Sequence, residues 1–341
     1  MNRSGSNAHG EEIETKCDEN GYLPDGIYRT NISSFAICPP QSSEVAEAEA
    51  KVWNEYLSAT RKEDKNRLMY DELYRYEFYE GRKRQGFWGN IEDAIKKMNF
   101  DDDPRVTILS AGTGRDLLKV GLAAGIWKST ASRKIRGTYK EISPEYLRLV
   151  KPKARVMVTE YEEHVLGALR NTVDQLINKA LLNEEMVTVR KWDFRYRTPL
   201  ATGSQDLVVF ALAGNYAKLE EQPLILRELA RVVKVGSYLV ASTMLPELNF
   251  SKAIGLIRKI RIILSSPLFW PVLREFVPWQ VKWGKMAGSM NEAGIWCNVP
   301  ATTWMQFLQS AGMEKIEIYP SPSSLLPVEV LVARKEQEAK Q

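Results

Sequence analysis

The sequence predicts an α/β chain: a doubly wound, mostly parallel, seven-stranded sheet, preceded by a helical extension and interrupted late by a helical insertion. Three observations predict it. Apolar strand-like runs alternate with helix-period segments between Val106 and Thr243, which is the pattern of βαβ units. The first run ends in a loop with two glycines one residue apart, SAGTG at 110–114, which opens a helix. After a long interruption, one more helix pattern and two more strand patterns close the chain at 301–334.

Taken in order, residues 1–43 are polar and punctuated by Gly, Pro and Ser, as in a flexible arm. Residues 44–100 carry helical periodicity and form an N-terminal extension or cap, which DDDP at 101–104 ends. The domain then runs over 101–341, with strands expected at 106–110, 154–159, 186–191, 206–212 and 236–243. Helices are expected between them at 114–125, 162–182 and 220–233. The tail supplies a helix at 301–311 and strands at 313–319 and 327–334. Two segments, 126–153 and 245–300, fall outside the alternation, and loops of that length carry function or their own helices.

Composition narrows the class. Apolar residues make up 44% of the 341 and charged residues 26%, enough for a globular core. Forty-seven basic residues nearly balance 43 acidic ones, so the net charge of +4 does not argue for nucleic acid. Cys17, Cys38 and Cys297 are too scattered for a disulfide framework or a metal-ligand spacing, and no metal is expected. The N-terminus lacks the apolar core of a signal peptide, so a soluble, cytoplasmic protein is expected.

In VTILSAGTGRD, Val106 to Asp116, strand, glycine turn and helix N-terminus follow directly. That order points backbone N–H groups and the positive end of a helix dipole at a ligand. The dinucleotide fingerprint would need a third glycine where Leu117 stands, and no phosphate-loop sequence occurs. Further downstream, ARVMVTE ends in Glu160, MVTVRKWDF holds Asp193 after its strand, QDLVVFALAGNY runs to Tyr216, and LILRELARVVKVGSYLVAST joins a helix to a strand through a glycine turn.

In this order and spacing, residues 105–334 resemble the class I, Rossmann-like S-adenosylmethionine-dependent methyltransferases. The resemblance implies S-adenosyl-L-methionine as cofactor, held by Ser110, Ala111, Gly112, Thr113, Gly114 and Asp116 in the loop. It implies Glu160 and Tyr161 at the ribose, Asp193 and Phe194 at the adenine, and Leu212 and Ala213 near the transferred methyl. A carboxylate suits a ribose because its two oxygens can accept from two vicinal hydroxyls. Glu141, in RGTYKEISPEYL, competes with Glu160 for that role. Ser110 stands where the family carries an acid, and Asp116 or a side chain from the N-terminal helices is the candidate substitute.

Only two histidines, His9 and His164, occur in the chain. That scarcity disfavours a histidine base and favours an amine over a hydroxyl as methyl acceptor, with Asn215 and Tyr216 helping to position it. Catalysis then rests mainly on alignment and desolvation, and alignment alone can contribute roughly 7–11 kcal/mol. Aromatic residues of the extension and the insertion, among them Tyr74, Trp88, Trp279 and Trp283, are expected to wall a substrate pocket, with 245–300 as its lid. The basic amphipathic stretch 252–276 leaves open a peripheral lipid contact. The expected partner is a small-molecule acceptor, nucleic acid being disfavoured and the oligomeric state open. The alternatives are a protein or RNA methyltransferase and a non-catalytic, methyltransferase-like binding subunit.

Overall fold

A computed structural model of the chain describes residues 87–112, 114–132, 143–161, 163–245, 297–321 and 328–336. The arm, the extension before 87, most of the insertion, Glu141, Thr113, Tyr74, Trp279 and Trp283 lie outside the described residues.

The elements are α1 (Phe87–Lys96), β1 (Arg105–Leu109), α2 (Arg115–Ala123), β2 (Trp127–Ser129), β3 (Leu147–Leu149), β4 (Arg155–Glu160), α3 (Glu163–Asn178), β5 (Val187–Lys191), β6 (Gln205–Ala211), α4 (Gln222–Val232), β7 (Val233–Met244), α5 (Ala301–Ser310), β8 (Glu314–Ser321) and β9 (Val328–Arg334). Seven strands form one sheet in the order β5-β4-β1-β6-β7-β9-β8. β1 pairs parallel with β4 and β6, β4 with β5, and β6 with β7, whereas β9 lies antiparallel to both β7 and β8. From residue 101 onward the expected strands and helices therefore form, within a few residues of their expected bounds.

The central strands are apolar on both sides because helices cover both faces. On one face, Val106, Ile108, Val156 and Val158 pack with Leu117 and Val120 of α2 and Leu166 and Leu169 of α3. On the other, Val208, Phe210 and Leu239 pack with Ile225 and Leu229 of α4 and Trp304 of α5. α4 runs straight into β7, and its last carbonyls would otherwise be buried without donors. Lys335, 4% exposed, caps them: its Nζ donates to the carbonyls of Ala230 at 3.1 Å and Val233 at 3.0 Å.

Two expectations are corrected. The segment 126–153 contains a small antiparallel ribbon, β2 paired with β3. Trp127 anchors it by donating from its indole N–H to the Leu181 carbonyl at 2.7 Å. The second correction concerns α1, which belongs to the domain rather than to a cap over it. Trp88, Ile91 and Ile95 are at most 2% exposed and join the core on the α2 face of the sheet. Trp88 is thus a packing residue and not a wall of a substrate pocket: it is buried, and the Lys119 ammonium lies 4.4 Å from its ring centroid.

Candidate functional site

The strand order turns back at β1: the chain builds outward through β4 to β5, then returns to place β6 on the other side of β1. At such a switch point the loops after the two central strands leave in opposite directions and open a crevice beyond the strand ends. Both strands that flank it end in left-handed backbone, Ser110 with φ 53° after β1 and Leu212 with φ 54° after β6. This conformation costs a residue with a Cβ about 1–3 kcal/mol and is found where the surroundings enforce it. Here hydroxyls from the neighbouring strands help to enforce it. The Ser110 N–H donates to Thr159 Oγ1 at 3.4 Å, and the Leu212 N–H donates to Ser242 Oγ at 3.0 Å.

The two loop glycines have different tasks. Gly112 (φ 57°) has nothing within 4 Å of where a Cβ would stand, so backbone faces open space there. On Gly114 (φ 93°) a Cβ would stand 2.8 Å from Thr172 Cγ2, so this glycine lets α2 come close to α3.

Glu160 closes the loop from the side. Its Oε2 accepts from the Gly112 N–H at 3.0 Å and its Oε1 from the Tyr161 N–H at 2.9 Å. Two backbone donors orient the carboxylate at the end of β4. Ala111 is buried, and its N–H donates to the Thr159 carbonyl at 2.9 Å, tying the loop to β4. Asp116, in the first turn of α2, is 6% exposed and its Oδ1 has no hydrogen-bond partner. Burial pushes its carboxyl up to about 7; Lys119 and Arg115 pull against the shift, and the charge of Glu160 adds to it.

Asp193 departs from expectation. Its Oδ1 accepts from the backbone N–H and Nε of Arg195 at 2.9 and 3.0 Å, and its Oδ2 from Nη2 at 2.7 Å. The carboxylate is committed to a turn and a bidentate guanidinium, rather than left open for an adenine amino group. Arg195 also lies 6.0 Å from the ring centroid of Tyr161, which is 42% exposed. Phe194 packs edge-on against Phe210 at 5.6 Å, and Phe210 stacks on Trp304 at 6.1 Å.

After β6, Ala213 is buried and a single 3₁₀ turn spans Gly214–Tyr216. A Cβ on Gly214 would stand 2.4 Å from the Trp304 ring, so only glycine fits against this tryptophan. Trp304 donates to Gln222 Oε1 at 2.7 Å, and Gln222 Nε2 donates to the carbonyls of Ala217 and Cys297 at 3.1 and 3.0 Å. Asn215 is fully buried: its Nδ2 donates to Asn298 Oδ1, its carbonyl accepts from the Cys297 N–H, and its Oδ1 has no partner. Tyr216 is half-buried against the core.

The structure thus gathers Ser110, Ala111, Gly112, Gly114, Asp116, Glu160 and Tyr161 around one loop, with Leu212 and Ala213 across the switch point. Arg195, Ser242, Gln222 and Trp304 escaped the sequence reading. Only Arg195 carried a signal, an Asp-x-Arg spacing that allows a local bidentate pair.

No family model matches the chain, and no curated protein does. Similar solved structures include an O-methyltransferase family protein from Burkholderia thailandensis, at 11% identity, covering 98% of this chain and 83% of that one, with a TM-score of 0.44. The S-adenosylmethionine-dependent methyltransferase SibL is 14% identical, with 73% of this chain and 56% of that one covered and a TM-score of 0.39. This chain therefore matches little more than half of SibL. A protein from Bordetella parapertussis described as a possible exported protein is 13% identical, covering 73% of this chain and 67% of that one, with a TM-score of 0.45.

The strand order decides the fold. It is a Rossmann-like, doubly wound fold. Five parallel strands wound outward from β1, followed by an antiparallel pair in which the last strand inserts beside β7, make up the whole sheet. Among the described residues no helix is long and apolar enough to cross a membrane.

Proposed function

We propose that the chain is an S-adenosylmethionine-dependent methyltransferase acting on a small-molecule acceptor, with an amine favoured over a hydroxyl. One observation carries this reading: Gly112 and Glu160 meet at 3.0 Å across the ends of adjacent parallel strands, beside the switch point. The residues present fit such a cofactor. The open space at Gly112 admits it against bare backbone, and Glu160, oriented by two backbone N–H groups, brings to the same loop a carboxylate, the group suited to a pair of ribose hydroxyls. Tyr161 offers an exposed ring beside them, with Arg195 over it.

The bound cofactor supplies an electrophilic methyl on a sulfonium. The rest is done by the chain. Leu212 and Ala213 end β6 beside the crevice, and the turn that follows is locked by Gln222 and Trp304. Asn215 and Tyr216 on that turn position the acceptor, and alignment replaces an elaborate acid–base apparatus. A lid from the insertion, carrying Trp279 and Trp283, and Tyr74 of the extension complete the pocket in this reading. The compartment is proposed to be the cytoplasm, with any lipid contact made through 252–276.

Titration calorimetry with S-adenosylhomocysteine tests the reading. The wild-type chain is expected to bind, Glu160→Ala to weaken binding tenfold or more, and Glu141→Ala to leave it unchanged. A wild type that does not bind overturns the proposal, and the reverse pattern moves the ribose to Glu141.

A further inference from the structure

At the edge of the sheet where the parallel strands begin, the ribbon of β2 and β3 displays positive charge that the fold does not neutralise. Its place follows from its connections. α2 runs from the glycine loop to Ala123 and delivers β2 at its far end, and β3 leads into β4, which starts in register with β1 at Arg155 and Arg105. Lys151 fixes that exit: its Nζ donates to the carbonyls of Phe100 and Asp101, both at 2.7 Å, just ahead of β1. The five residues of β1, roughly 15 Å of strand, therefore separate the ribbon from the crevice.

The ribbon is firmly rooted. Trp127 and Leu147 are buried, the Thr130 N–H donates to the Tyr146 carbonyl at 2.7 Å, and the Val150 N–H donates to the Ile126 carbonyl at 2.9 Å. On its other face Lys128 stands directly across from Arg148, and both are exposed. Like charges in register across two strands repel each other. No carboxylate offsets them: among the described residues neither these two nor the exposed Lys153 makes an ion pair. Residues 127–132 and 143–155 carry five basic residues against one acid, Glu145, in a chain whose whole net charge is +4. Val150, 46% exposed, and the exposed Pro152 lie between Arg148 and Lys153. No aromatic ring and no carboxamide is exposed among the described residues of the ribbon, so nothing there stacks on a base or reads its edge.

We propose that this ribbon docks the protein on an anionic lipid surface, with Lys128, Arg148 and Lys153 at the head groups and Val150 against the apolar layer beneath. The negative surface relieves the repulsion between Lys128 and Arg148, which water alone does not. The contact is an anchor and not an acceptor site: it holds the sheet by the edge opposite the crevice and leaves the crevice turned away from the lipid. It is separate in place from the lipid contact ascribed to 252–276, and it does not depend on the cofactor reading.

Co-sedimentation of the full-length chain with vesicles tests the anchor. The chain is expected to bind vesicles of phosphatidylcholine with about 30% phosphatidylserine, and not phosphatidylcholine alone. Binding should fade as salt rises from about 0.1 M to about 0.5 M. Lys128→Glu combined with Arg148→Glu should lower partitioning tenfold or more, and Glu145→Lys should raise it, each with a cooperative urea transition near that of the wild type. Should the double reversal not fold, Lys128→Gln with Arg148→Gln reads the same loss at several-fold size. A wild type that ignores the anionic vesicles overturns the assignment, as does a double variant that binds them as tightly as the wild type. Tighter binding of a DNA or RNA duplex than of the vesicles at the same salt also overturns it, and makes the ribbon a nucleic-acid contact.

Discussion

Asp116 is held in the folded chain at a cost. Its carboxyl rises from 3.8 to about 7, chiefly because burial removes it from water. For an acid shifted upward, the folded state binds the proton more tightly than the unfolded state. Stability is therefore highest below about 4 for this group and declines as pH climbs towards about 7. Asp116→Asn, nearly isosteric and uncharged, is expected to raise stability above pH 7 by a few kcal/mol, an order-of-magnitude figure from the size of the shift. The gain should vanish near pH 4. Urea unfolding at the two pH values checks this, and a variant less stable at high pH would show that Lys119 and Arg115 more than offset the burial.

Two glycines outside the cofactor loop set how the elements pack. Gly121 in α2 faces Trp127, and a Cβ there would stand 2.1 Å from the indole ring. Trp127 cannot easily yield, because its N–H is bound to the Leu181 carbonyl. Gly121→Ala is therefore expected to cost about 1–3 kcal/mol through overpacking, measurable as a lower urea midpoint with an unchanged slope. Gly214 against Trp304 is the corresponding contact on the β6 side, 2.4 Å from ring atoms. Gly214→Ala would push the turn that carries Asn215 and Tyr216, so turnover should fall more than cofactor affinity does, as single-turnover assays set beside calorimetry would reveal.

At the scale of the whole molecule, α1 is built into the sheet's covering layer rather than laid over its mouth. Trp88, Ile91 and Ile95 share one buried cluster with β1, β4 and α2. Trp88→Ala should accordingly cost about 3–5 kcal/mol and lower the single unfolding transition of the domain. Loss of an early, separate transition with the main one untouched would restore the picture of a detachable cap. Trp88 also links the N-terminal helix to the candidate site, since its ring carries Lys119, which in turn acts on Asp116.

The sequence by itself determined the layered architecture. Strand runs such as VTIL and DLVVFA are apolar throughout, and the helices between them carry one apolar face, so only a sheet covered on both sides buries them all. It also pointed to Glu160 and the glycines of the loop, which the fold brings together at 3.0 Å between Gly112 N and Glu160 Oε2, because a strand-ending acid and a G-x-G turn are local signals. What the tertiary structure decided depends on partners distant in the chain. Trp88 reads as a pocket aromatic until Lys119 and the core surround it. Asp193 reads as an open acceptor until Arg195 folds back on it. Asp116 reads as an ordinary acid in a first helical turn until burial beside Glu160 removes its water and leaves one oxygen without a donor. Exposure, desolvation and hydrogen-bond satisfaction are properties of the packed molecule, and they turned these three residues into a core anchor, a turn clasp and a buried acid beside the glycine loop.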